Sequence, residues 1–127
     1  MKKKIFCFDL DNVLCRTKKS NYNESLSIKK NINTVDKLFN NGHYIKIFTA
    51  RYMGRNNDNI SKARKQAKDI TIKQLKKWKV CYHKIIFGKP SFDIYIDDKS
   101  FILMIRVYFI KKIGKGIYIN TQNEKNR

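Results

Sequence analysis

Asp9 and Asp11 stand one residue apart at the end of a short apolar run, Ile5-Phe6-Cys7-Phe8. Two neighbouring carboxylates cannot leave water cheaply unless a cation or hydrogen-bond donors surround them. A strand that delivers them to its carboxyl end therefore reads as the floor of a site. Three later stretches carry groups that could answer the two charges. Thr49 closes the apolar run at residues 43–48, Lys89 stands between Gly88 and Pro90, and Asp97-Asp98 follow the run at 92–96. Each also has an ordinary explanation: turn or helix caps for Asp9, Asp11 and Thr49, a solvated lysine, an acidic turn. With Asp+Glu numbering only 10 in 127 residues, four of them at strand ends is a pattern that random scatter does not readily produce.

The elements that must hold these groups can be read from periodicity. Residues 4–9 predict a buried strand, followed by an aperiodic polar loop at 16–30 that could cover the site. Ile28, Ile32, Val35 and Phe39 fall at helical spacing, and Asn41-Gly42 supplies the stop, since glycine tolerates the left-handed conformation of a C-terminal cap. A second strand at 43–48 leads to Thr49-Ala50-Arg51 and a loop at 52–59. Ala63, Ala67, Ile70, Thr71, Leu75 and Trp78 mark a second amphipathic helix, with Trp78 in its core face. Strands are predicted at 83–87 and 92–96. Residues 101–110 suit helix or strand, Gly114 and Gly116 a turn, 117–119 a short strand and 120–127 a frayed tail. Alternating strands and helices predict an α/β domain with a doubly wound parallel sheet, which binds ligands at the carboxyl ends of its strands. All the candidate groups lie at such ends.

Asp9-x-Asp11-x-Val13, strand-terminal Thr49, Lys89 before a proline and strand-terminal Asp97-Asp98 resemble the four ordered motifs of haloacid-dehalogenase-like phosphatases, over roughly residues 4–100. The Phe-x-x-Asp-x-Asp-Asn opening, Thr49-Ala50-Arg51 and the Phe-Gly-Lys-Pro … Tyr-Ile-Asp-Asp-Lys spacing resemble more narrowly the small phosphatases of bacterial capsule polysaccharide biosynthesis. The resemblance implies a Mg²⁺-dependent phosphomonoester hydrolase. Asp9 would attack phosphorus, and Asp11 would protonate the leaving oxygen and then activate water. Thr49 would donate to a phosphoryl oxygen, and Lys89 would neutralise charge there. Asp9, Asp97 and Asp98, with the Asp11 backbone carbonyl, would hold the metal; hard oxygen ligands of this kind suit Mg²⁺. Asn12 and Arg51 flank the site; Arg51 reads equally as a substrate contact or a structural ion pair. Many such relatives insert a cap domain, and neither gap here has room for one. Capless relatives either act on large substrates or cover the site with a neighbouring subunit.

Composition sets the outer bounds. A chain of 127 residues with 42% hydrophobic and 13% aromatic content is expected to form one globular domain, with its motifs in 4–100 and a divergent tail at 101–127. The net charge of +19 suits an anionic partner. The lysines are scattered without aromatic interleaving, however, so a nucleic-acid partner is a secondary expectation. A polynucleotide-end or nucleotide phosphatase, or a non-catalytic nucleic-acid-binding relative, is the alternative to a sugar or polyol phosphatase. Cys7, Cys15 and Cys81 lack metal-site spacing and read as reduced thiols. The basic start runs straight into Asp9 and is not a signal peptide, and the run at 101–110 is interrupted by Arg106 and too short to span a bilayer. A cytoplasmic protein acting on a small phosphorylated substrate is the expectation.

Overall fold

The computed structural model describes residues 2–99. The predicted elements at 101–110, 114–116, 117–119 and 120–127 lie outside the described residues. Contacts divide the chain into two units, Met1–Phe92 and Asp93–Arg127. The first is α/β, with a three-stranded parallel sheet and two helices. Strands β1 (Ile5–Asp9), β4 (Tyr44–Thr49) and β5 (Lys84–Phe87) build the sheet in the order β1-β4-β5. Helices α1 (Lys29–Asn40) and α2 (Ile60–Lys77) connect them, as parallel pairing requires. Strand order follows chain order, so no reversal of direction, the mark of a doubly wound sheet, occurs among these three strands.

Registration aligns Phe6 with Ile45 and Phe8 with Ile47, and Ile47 in turn with Ile85, which sets one face of the sheet against the helices. Ile45 and Ile47 join Leu10, Leu14, Ile32, Val35, Leu75 and Val80 in the buried core, with Phe6, Phe8 and Trp78 packed against it. Period-two alternation on β4 and three-to-four spacing on α1 and α2 produce this burial. Asn59 caps α2 by accepting the Lys62 N–H at 3.0 Å. After α1 the chain turns at Gly42, at φ +86°, where the glycine stop was expected.

Three expectations are corrected. β1 is not buried throughout: Ile5 and Cys7 are exposed on the sheet face opposite the helices, and among the described residues β1 pairs on one edge only. The polar stretch at 16–30 is not an unstructured loop. It carries a small antiparallel pair, β2 (Cys15–Arg16) with β3 (Leu26–Ser27), and a 3-10 turn at Tyr22–Glu24. Two-residue strands leave no periodicity to read. Residues 92–96 are irregular rather than a fourth strand, with Ile94 and Ile96 exposed. They have the alternation of a strand but no ladder partner among the described residues, and a strand is held by its neighbours.

Among the described residues no helix is long and apolar enough to cross a membrane.

Candidate active site

A tight turn sets the two aspartates. The Leu10 carbonyl accepts N–H groups from Val13, Leu14 and Cys15 at 3.3, 2.9 and 3.3 Å, while the buried Leu10 and Leu14 side chains anchor the turn in the core. Between the leucines, Asn12 takes the left-handed conformation, φ +65°, which asparagine tolerates better than most residues. Asp9 ends β1 and Asp11 is thrown outward beside it. Both open into a pocket of about 410 Å³ whose lining also includes Asn12, Thr17, Tyr22, Arg51 and Lys89. Thr49 is not part of that lining. It is buried, and its Oγ1 accepts the Arg51 N–H at 3.1 Å.

Asp9 Oδ1 accepts the Leu10 N–H at 2.9 Å, and Oδ2 pairs with Lys89 Nζ at 3.2 Å. Burial pushes the Asp9 carboxyl above the usual carboxylate range, and the nearby Lys89 charge only partly offsets this. Lys89 reaches Asp9 from a turn that only glycine fits. Gly88 turns at φ +96°, where an added Cβ would sit 2.8 Å from Ile60 Cγ2. The Lys89 N–H then donates to the Thr49 carbonyl at 3.1 Å, and its ammonium lies 5.2 Å from the centroid of the Phe92 ring.

Asp11 meets a different partner. Arg51 Nε donates to Oδ2 at 3.0 Å and to Oδ1 at 3.2 Å, and Nη2 donates to Oδ1 at 3.0 Å. The Thr17 hydroxyl also donates to Oδ1, at 2.5 Å. Arg51 is 2% exposed. Its remaining donors go to Gln74 Oε1 at 2.6 Å, Thr71 Oγ1 at 3.3 Å and Ser25 Oγ at 3.4 Å, and its Cζ lies 5.1 Å from the Tyr22 ring centroid. Of the two sequence readings of Arg51, the ion pair is what the geometry contains. Every guanidinium N–H has a protein acceptor, leaving none for a ligand.

Thr17, Ser25, Tyr22 and Gln74 were missed in the sequence. They come from the stretch at 16–30 and from α2, and only their polarity amid helix-forming residues hinted at them. Tyr22 further joins the two loops over the pocket: its ring lies 4.8 Å from that of Tyr52, and Arg55 sits over both at 5.6 and 4.5 Å.

Asp9 has the chemistry of a metal ligand: a half-exposed carboxylate in an open pocket, of the hard-oxygen type Mg²⁺ selects. The Asp11 side chain fits less well, because Arg51 engages both oxygens, so its backbone carbonyl is the better donor. Asp97 belongs to the other unit, where it accepts from Lys99 N–H at 2.9 Å and Tyr95 Oη at 3.1 Å. Those bonds hold its carboxyl below the usual range. Among the described residues no three His, Cys, Asp or Glu side chains cluster as a metal site. Burial pushes the Cys15 thiol up, so it is not an activated thiolate.

A crystal structure of an MCSG target protein from Vibrio cholerae is similar to this chain, with 31% identity and a TM-score of 0.71 over 79% of this chain and 83% of that one. No family model and no curated protein matches the sequence.

Proposed function

We propose that this chain, which belongs to the family of that Vibrio cholerae protein, is a cytoplasmic Mg²⁺-dependent phosphomonoester hydrolase of the haloacid-dehalogenase-like type. Its core would be doubly wound and capless, and its substrate a sugar or polyol phosphate used in capsule or surface polysaccharide synthesis. The observation that carries the reading is the Asp9–Lys89 pair, at 3.2 Å, with Asp11 beside it in one pocket at the carboxyl ends of parallel strands. That is where an open α/β sheet binds ligands.

In this reading an Asp9 oxygen attacks phosphorus and the bond to the leaving oxygen breaks. Asp11 gives that oxygen a proton, then takes one from the water that attacks the aspartyl-phosphate; the P–O bond to Asp9 breaks and phosphate leaves. Lys89 supplies a fixed positive charge where phosphoryl oxygens gather. Thr49 lies buried outside the pocket lining, where it holds the Arg51 backbone N–H. Asp9 and the Asp11 carbonyl would hold Mg²⁺, which when bound would supply a positive charge that screens the repulsion between carboxylate and phosphate. Asn12 lines the pocket and would face the substrate.

Purified protein with Mg²⁺ should release phosphate from an aryl phosphate, and EDTA or Asp9→Asn should abolish the release. Unchanged turnover by Asp9→Asn would sink the mechanism. The net charge of +19 supports a second reading, a nucleotide or polynucleotide end phosphatase. A screen of sugar, polyol and nucleotide monophosphates separates the two, and only polynucleotide substrates should lose affinity steeply with added salt.

A further inference from the structure

The two oxygens of Asp11 are not equivalent. Oδ1 accepts from Arg51 Nη2 at 3.0 Å, Thr17 Oγ1 at 2.5 Å and, more weakly, Arg51 Nε at 3.2 Å. Two strong donors already fill the lone pairs of one carboxylate oxygen. Among the described residues Oδ2 accepts only the Arg51 Nε–H, at 3.0 Å. The guanidinium that enforces this asymmetry is itself held at its far side by Gln74 and Thr71 of α2, and its backbone N–H is held by Thr49. A fork fixed at both ends sets the carboxyl plane as well as its place, which a lysine ammonium at the same spot cannot do.

We propose that Arg51 is a positioning residue that, with Thr17, saturates Asp11 Oδ1 and so assigns proton transfer to Oδ2. This rests on the phosphatase reading above. In the second half-reaction the attacking water forms its bond to phosphorus and its proton passes to Oδ2. The P–O bond to Asp9 breaks with its electron pair on Asp9, and Asp11 is left protonated, as it was before the first half-reaction. Loss of the fork lets the carboxyl rotate, so that the basic oxygen no longer faces the water. An aryl leaving group departs with little need of a proton, so attack by Asp9 is spared and breakdown of the aspartyl-phosphate is slowed.

The test compares wild type, Arg51→Lys and Thr17→Val with an aryl phosphate and Mg²⁺. It measures kcat, KM and the phosphate trapped on protein after rapid quench, with folding checked by circular dichroism. Arg51→Lys should lose about tenfold to a hundredfold in kcat, the range a misplaced catalytic group costs, with KM falling in proportion because kcat/KM reports the spared attack, and with more enzyme trapped as aspartyl-phosphate. Thr17→Val should move the same way by less. Thr17 sits on the covering loop, so it carries the test if Arg51→Lys does not fold. A folded variant with a raised KM and unchanged kcat, or with lower kcat and no added trapped phosphate, would overturn the inference. A wild type that releases no phosphate overturns the phosphatase reading and the inference with it. A wild type that turns over beside an unaffected Arg51→Lys and Thr17→Val overturns the inference alone.

Discussion

Asp9 and Asp11 leave the same turn, yet they sit in two different kinds of surroundings. Asp9 keeps 37% of its side chain exposed and faces the single ammonium of Lys89, a point charge. Asp11 is 20% exposed and faces a wholly buried guanidinium tied to α2 and to the covering loop. A carboxylate that faces one point charge can be drawn into bonding with an incoming group. A carboxylate gripped by a fork is held in one orientation. The difference teaches that the pair divides labour by environment: Asp9 is left reactive at some cost in stability, and Asp11 is built into the fold. Paired carboxylates whose surroundings differ in this way are a familiar route to two roles from one residue type.

The largest expected effect comes from breaking the buried side. Asp11→Ala leaves the Arg51 charge buried without its carboxylate, which should cost about 3–5 kcal/mol of stability in chemical denaturation. A loss under about 1 kcal/mol would mean that the Arg51 network does not lock Asp11, since that is the level of an exposed pair. Next in size is Gly88→Ala. It demands φ +96° of an alanine and drives a methyl to 2.8 Å from Ile60, a strain of about 1–3 kcal/mol. Because Gly88 aims Lys89 at Asp9, phosphate release should fall with it, whereas an unchanged melting temperature would show that the turn relaxes freely.

The smallest effect has the opposite sign. The Asp9 carboxyl is raised by burial above its ordinary value of 3.8. A raised acid contributes stability that is fully present below its unfolded-state value and lost as pH climbs through its folded-state value. Ionised Asp9 is therefore a burden at neutral pH. In EDTA, Asp9→Asn should melt slightly above wild type at pH 7, and the gap should close as the pH falls below 3.8. A lower melting temperature for Asp9→Asn at pH 7 would show that the Lys89 pair outweighs desolvation, and the contrast with Asp11 would fail.

Much of the framework was legible in the sequence because it is written in local pattern. Ile45 and Ile47 alternate, Ile32 and Val35 repeat at helical spacing, and Gly42 stops α1. These rules need no knowledge of distant partners. The grouping of Asp9, Asp11, Asn12, Arg51 and Lys89 in one pocket was legible for a related reason, since strand ends in a parallel sheet share one edge. The grip on Asp11 was not. Arg51 meets a carboxylate 40 positions away, and Gln74 meets the Tyr22 carbonyl 52 positions away. Nothing local records either contact. The run at 92–96 misled in the other direction: its alternation is a property of the segment, but a strand is a property of a pair.

The most direct measurement maps where phosphate attaches. Asp11→Asn, if folded, would be incubated with Mg²⁺ and an aryl phosphate, quenched in acid, digested and sequenced by mass spectrometry. Phosphate on Asp9, absent from Asp9→Asn, is the predicted result. Turnover by wild type with no phosphate on Asp9 under any quench would contradict the assignment of Asp9 as nucleophile.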